Sequence, residues 1–310
     1  MHSCISTLLN QQEVEISKDY ELIFINDAST DNSLNLIKEL TADVSGVLII
    51  NQLSNRGLSA TRNNGISNSK GEYVWCVDSD DMIDLHTVKD IITTIELNPE
   101  FDGVHIYGCN VSSDSEPSNI TRLDSILHKS YAWCYIVKRA FLKKFNIEYC
   151  KGLKYVEDVL FINTCLFWGA RFKDVSLTPL YFYRANPNSI MHTLNLQLHY
   201  QNTLICLNEY LAFKQEHGKE LRPDNLKHLN SCIHWATANV LADAMRIGEP
   251  VASKIVLQFT EDGLFPYPIL WKRLSLKFGF RSLLVNIFHL PLCFPFYYRA
   301  CVKFFQIKRH

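Results

Sequence analysis

Apolar residues recur along the first hundred positions in two alternating rhythms. In residues 3–12, Ile5, Leu8 and Leu9 share one helical face. Residues 21–26 are a short apolar run of strand length, and Asp27 to Ser33 supply the small polar side chains that make turns and helix caps. Leu34, Ile37 and Leu40 then follow helical spacing, and residues 47–50 read as a second buried strand. Asn55, Arg56 and Gly57 form a turn before a helix over 58–69, closed by Gly71. Residues 72–77 are a third strand, and residues 83–97 a helix stopped by Asn98-Pro99. Helix and strand alternating at this spacing imply a parallel, doubly wound α/β sheet. Right-handed crossovers put the carboxyl ends of such strands along one edge.

Beyond residue 100 the rhythm changes. Strands are expected at 103–107, 132–137 and 178–184, with a polar loop over 112–119. The pair Glu157-Asp158 opens an apolar helix running to residue 168. From residue 194 to about 259 the pattern is helical, with a polar break at 216–224. There is no internal repeat and no low-complexity segment.

The chain has 310 residues, 47% hydrophobic and 20% charged, which is ordinary for a globular protein of one large domain or a domain with an appendage. A net charge of −1 gives no electrostatic reason to bind nucleic acid. The ten cysteines are scattered with no Cys-x-x-Cys pair, so free thiols in a reducing compartment are expected rather than disulfides or zinc. No signal peptide is read in residues 1–20, and no uncharged apolar run reaches membrane-spanning length. The last acid is Asp262. In residues 264–310 every charged residue is basic, interleaved with aromatics, a composition that suits an anionic membrane surface. The alternative is a helical subdomain with its cations on a solvated face.

The densest candidate chemistry follows the third strand. Asp78, Asp80 and Asp81 put three acids into four residues where the strand leaves the core. Ligands of open α/β sheets bind at that end. Asp78 and Asp80 could share a divalent cation, since Mg²⁺ typically takes one or two carboxylates plus substrate phosphates. The competing reading is that these acids serve the first turn of the next helix. Asp27, at the end of the first strand, lies on the same edge.

Asn26-Asp27-Ala28-Ser29-Thr30-Asp31-Asn32-Ser33, Asn55 to Gly65, and Lys70 to Asp81 resemble successive signatures of the inverting nucleotide-sugar glycosyltransferases of family 2. Leu8-Leu9-Asn10-Gln11, residues 152–161 and 181–190 are similar to other blocks of the family, in the same order. The resemblance covers residues 3–192. It implies a GT-A-like nucleotide-binding α/β sandwich with a mostly parallel sheet. The catalytic domain would span 1–192, followed by a helical C-terminal region over 193–310.

The resemblance also implies roles. Asp80 would hold Mn²⁺ or Mg²⁺ against the donor's diphosphate, Asp78 would meet the metal or the donor's ribose, and His192 would be a third metal ligand. Asp27 would accept the imide N–H of a uracil base, so a UDP-sugar is the expected donor. Arg62 would orient Asp78 or reach phosphate, and Arg184 and His192 would flank the loop that closes over the diphosphate. Asp158 is the expected base, with Glu157 structural or the two roles exchanged. Adjacent helical residues point about 100° apart, so one alone faces the site well. Trp133 is read either as a platform for the acceptor sugar or as core.

The family usually opens with a hydrophobic strand ending in a Pro-x-Tyr-Asn turn, and residues 1–20 contain none. A chain truncated relative to the family, with a weakened base pocket, is therefore expected. The function implied is transfer of a sugar to a saccharide or lipid-linked saccharide acceptor in surface polysaccharide or lipopolysaccharide synthesis. The place implied is the cytoplasm or the inner face of the membrane. An inactive remnant that binds or assembles is the alternative. A sugar nucleotidyltransferase would want a glycine-rich basic phosphate loop near the N-terminus, and none is seen.

Overall fold

The computed structural model describes residues 1–112, 126–127, 131–176, 178, 180–184 and 195–264. The chain divides into two compact units, Met1–Thr193 and Leu194–His310.

The first unit begins with α1 (His2–Leu9), β1 (Leu22–Asn26), α2 (Ser33–Leu40), β2 (Val47–Asn51), α3 (Leu58–Asn68) and β3 (Tyr73–Trp75). It continues through β4 (Met82–Ile83), α4 (Thr87–Leu97), β5 (Gly103–His105), β6 (Gly108–Val111), β7 (Ile126–Leu127) and β8 (Tyr135–Lys138). It closes with α5 (Arg139–Lys144), α6 (Glu157–Phe167), β9 (Phe172–Asp174) and β10 (Tyr181–Arg184).

The strands form three sheets. β1 and β2 pair in parallel, from Leu22 opposite Val47 to Asn26 opposite Asn51. A second sheet has the order β3-β8-β5-β9, parallel between β5 and β9 and antiparallel at β8. The third has the order β4-β10-β6-β7, parallel between β6 and β10.

Apolar clusters cover both faces of the β8-centred sheet. On one side Cys4 and Leu8 of α1, Val88 and Ile91 of α4, and Trp133 and Tyr181 pack with Ile136. On the other, Phe141 and Leu142 of α5 and Phe161, Ile162 and Cys165 of α6 pack with Val137. Two-sided burial of this kind explains why these strands read as continuous apolar runs.

Two expectations are corrected, and the two readings of Trp133 are separated. The helix expected from Ile83 starts at Thr87, because Met82 and Ile83 pair antiparallel with β10. The strand expected over 132–137 begins as a single 3₁₀ turn, Ala132–Cys134, which turns Trp133 into the core before β8 starts. Trp133 is 1% exposed and stacks on Tyr181 with centroids 4.1 Å apart, so it packs the core and offers no free face to a sugar. Gly108 admits this stack: a Cβ there would lie 2.5 Å from the Trp133 ring.

The second unit holds α7 (Leu196–His217), α8 (Pro223–Ile247) and α9 (Val251–Glu261). The break between α7 and α8 lies in the expected polar stretch, and a second break at Gly248–Pro250 separates α9. None of the described helices is long and apolar enough to cross a membrane. None of the eight cysteines among the described residues is in a disulfide. His192 and the basic tail from 265 onward lie outside the described residues.

Candidate active site

Arg62 meets two acids, Asp78 and Glu157, where β3, α3 and α6 come together. Arg62 projects from α3 with its side chain 9% exposed. Its Nη2 donates to Asp78 Oδ1 at 3.0 Å and its Nη1 to Glu157 Oε1 at 2.9 Å. One guanidinium thus ties the end of β3 to the start of α6, across 95 residues of chain in the longer pairing. The planar fork with five donors suits two carboxylates at once. Beneath it lies the Tyr149 ring, 5.2 Å from the guanidinium carbon and stacked on Phe161 at 4.0 Å. Asn63, the next residue of α3, exchanges two 2.8 Å hydrogen bonds with the Tyr149 backbone and fixes that ring.

The acid pair is split by this bridge. Glu157 is buried and held by Arg62. Asp158 is half-buried, and its Oδ1 accepts from Val159 N at 2.7 Å. Burial first, then the neighbouring Glu157, pushes the Asp158 carboxyl up to about 7, against the pull of Arg62. Burial also raises Glu157 and Asp78, with Arg62 opposing in both cases.

The residue before the pair is strained. Val156 sits in the left-handed region at φ 59°. A β-branched side chain is an outlier there, at a cost of about 1–3 kcal/mol. Val156 is the cap residue from which the first turn of α6 starts. Val156→Gly is expected to raise stability by about 1 kcal/mol, the relieved strain exceeding glycine's entropic cost. It should also loosen the acid pair and lower any turnover. A urea melt showing the variant less stable than the native chain overturns this.

Asp27 follows β1 and organises the turn before α3. Its Oδ1 accepts from Arg56 N (2.7 Å) and Gln52 Nε2 (3.0 Å), and its Oδ2 from Gly57 N (2.9 Å). Gly57 takes φ 81°, which favours glycine. Gln52 Nε2 also reaches Thr61 Oγ1 at 2.9 Å, and Thr61 precedes Arg62. The Asp27 and Asp78 segments are therefore joined through consecutive residues of α3. About one of the roughly four acceptor positions on the Asp27 carboxylate is left for a ligand.

Asp80 is half-buried on the turn from β3 to β4. Asp81, beside it, is 1% exposed and turned inward. Its Oδ2 accepts from the Tyr181 hydroxyl at 2.7 Å and its Oδ1 from Arg184 N at 2.9 Å, while Asp78 N donates to the same hydroxyl at 3.1 Å. This network joins the acid motif to the end of β10. Burial pushes the Asp81 carboxyl up to about 7 despite those hydrogen bonds. Arg184 also reaches back to α1, its Nη2 donating to Ser3 Oγ at 3.2 Å.

Asp81, Tyr181, Gln52 and Tyr149 went unassigned in the sequence. A third acid in a strand-end cluster is the one available sign, since a carboxylate turned into a core must find donors.

Asp78 and Asp80 could hold a hard divalent cation. Among the described residues no three metal-binding side chains converge. Two carboxylates of a cluster with surplus negative charge match a site that a diphosphate completes. The surplus is visible at Asp81, where Asp78 and Asp80 add to the upward push.

The model of the family described as glycosyl transferase family 2 matches residues 1–173. The chain is 27% identical over 268 residues to the Bacillus subtilis protein EpsH, a match covering 77% of this chain and 74% of EpsH. It is 33% identical over 175 residues to TarP of Staphylococcus aureus, a poly(ribitol-phosphate) beta-N-acetylglucosaminyltransferase, covering 52% of this chain and 51% of TarP. Among solved structures, TarS 1–349 of S. aureus in complex with UDP-GlcNAc superposes with a TM-score of 0.58 at 19% identity, over 92% of this chain and 86% of that one. The order of the elements, the strand-end acids and the family match over more than half the chain agree: this protein belongs to glycosyl transferase family 2 and has its GT-A fold.

Proposed function

We propose that this chain inverts the anomeric centre while moving a sugar from a UDP-sugar to a saccharide or lipid-linked saccharide acceptor, in the synthesis of a surface polysaccharide. The observation that carries this reading is the Arg62 bridge, which sets the Glu157-Asp158 pair beside the Asp78 motif.

Asp158 acts as the base. A carboxylate with a pKa near 7 takes a hydroxyl proton more readily than one near 4, and burial has moved it to about 7. Glu157 faces Arg62 and is a positioning residue, so of the two assignments left open by the sequence the geometry favours Asp158. Arg62 orients Asp78 and neutralises two acids; it is not the phosphate clamp. Asp27 holds the 55–57 turn and keeps an acceptor position for the imide N–H of uracil. Arg184, with its backbone fixed by Asp81, is the cation for the diphosphate. A bound Mn²⁺ or Mg²⁺ would neutralise the leaving nucleoside diphosphate as a Lewis acid, held by Asp80 and Asp78. TarS binds UDP-GlcNAc on the same fold, which supports a uridine donor.

Catalysis belongs to residues 1–192 in this reading, and the helical region 193–310 carries the basic tail. Calorimetry with sugar nucleotides and Mn²⁺ is the test. Asp80→Asn is expected to abolish metal-dependent donor binding, a loss of about 2 kcal/mol or more. A native chain that binds no UDP-sugar, or a variant that binds like the native chain, overturns the assignment.

The tail's composition further supports peripheral contact with the inner face of the membrane through residues 264–310. The full chain should sediment with vesicles containing anionic lipid and be released by salt. Equal sedimentation with neutral vesicles sinks that idea.

A further inference from the structure

An aromatic stack runs from the core to the surface beside the acid cluster. Its inner end is the Trp133–Tyr181 pair, both fully buried, with Trp75 edge-on to Tyr181 at 6.4 Å. Its outer end is Tyr131 and Tyr183, both half-buried. Tyr131 lies 5.5 Å from Trp133 at 19° and 6.0 Å from Tyr183 at 12°, so the rings are close to parallel. Tyr183 precedes Arg184 on β10. Burial raises its phenol, and Asp81, Tyr131, Asp80 and Asp78 add to the shift, so the Tyr183 ring lies within electrostatic reach of the motif.

We propose that Tyr131 and Tyr183 form the acceptor subsite, a platform for a pyranose ring next to the transfer site. The proposal rests on the glycosyltransferase reading and adds to it which wall of the site meets the acceptor.

Two features favour a sugar ring. Aromatic faces are electron-rich and attract the polarised C–H groups that line one face of a pyranose. The buried half of the stack fixes the outer rings before any ligand arrives, so little ordering entropy is left to lose on binding. The donor's base, the other flat ring available, is assigned to the Asp27 turn, which belongs to a different sheet from Tyr183.

The test uses the full chain saturated with UDP and Mn²⁺. Methyl β-D-glucopyranoside and methyl N-acetyl-β-D-glucosaminide serve as probes in saturation-transfer NMR. The native chain and Tyr183→Phe should transfer saturation to the ring C–H protons. Tyr131→Ala and Tyr183→Ala should weaken pyranoside binding by about tenfold or more, with UDP affinity by calorimetry unchanged within about twofold. Thermal melts that match the native chain exclude misfolding, and Tyr131→Phe supplies the second conservative control. Native-like pyranoside binding by both alanine variants overturns the subsite, and so does a native chain that binds neither probe. A parallel loss of UDP affinity in the alanine variants also overturns it, by assigning the platform to the donor. Failure of UDP to bind the native chain would sink the sugar-nucleotide reading, while the pyranoside arm still reports on the platform.

Discussion

Replacing Asp158 with Asn leaves sugar-nucleotide binding in place and lowers the transfer rate by about 10²–10⁴-fold. The amide keeps the size and the hydrogen bond to Val159 N but cannot take a proton. Loss confined to the rate, with donor affinity intact by calorimetry, separates a base from a residue that holds the donor. Native transfer should climb with pH through about 7, where burial and Glu157 have placed this carboxyl. The sign follows from the role: the deprotonated form is the active one, so the rate falls as protonation wins below that value. The same shift has a stability counterpart. The folded chain holds this proton more tightly than the unfolded chain, whose carboxyl has the ordinary value of 3.8. Its contribution to folding is therefore full below that value and is lost as pH rises towards 7. Nucleotide-release assays across this range decide the matter. A flat profile, or full activity in the Asn variant, would move the base elsewhere.

The second large effect is on stability. Arg62→Met should cost about 3 kcal/mol, because the buried Glu157 and the half-buried Asp78 lose their shared counter-charge. Arg62→Lys is expected to recover little of this, since an ammonium is a point charge and cannot donate along two directions of a planar fork. Removing one stranded acid should restore part of the loss, so Arg62→Met with Glu157→Gln is expected to be more stable than Arg62→Met alone. Urea denaturation of the three variants checks it. Arg62→Lys within about 0.5 kcal/mol of native would show that the bridge contributes little.

Much of the frame could be read from the amino-acid order. Apolar runs of strand length, glycine and asparagine turns, and acids at strand ends are local signals, and they located β1, β2, β3, α3 and the start of α6. What stayed hidden is what depends on long-range partners. Met82 and Ile83 look like the entry to a helix until β10 arrives about a hundred residues later to pair with them. Trp133 could have been platform or core, and only the Tyr181 ring and the gap above Gly108 decide between them. Glu157 and Asp158 are alike on paper, and Arg62 tells them apart from the far side of the domain. The Asp27 carboxylate was read for a ligand, whereas most of its bonding goes to the 52–57 segment. His192 and residues 265–310 lie outside the described residues.

Asp27, which we propose reads the nucleoside, hangs from the least buttressed sheet of the domain. Among the described strands β1 pairs with β2 alone, and most residues of the two are half-buried or exposed. Local opening is cheapest where few ladders and little apolar burial must be undone. The β1–α2–β2 segment should therefore exchange its amide hydrogens as a unit, ahead of the sheet centred on β8. A donor that docks on it stiffens what was loose, and part of its affinity goes into that ordering. Discrimination between donors then reaches beyond contacts with the sugar: a nucleotide that grips Asp27 poorly leaves the whole subregion breathing, and the acids across α3 lose their registration with it.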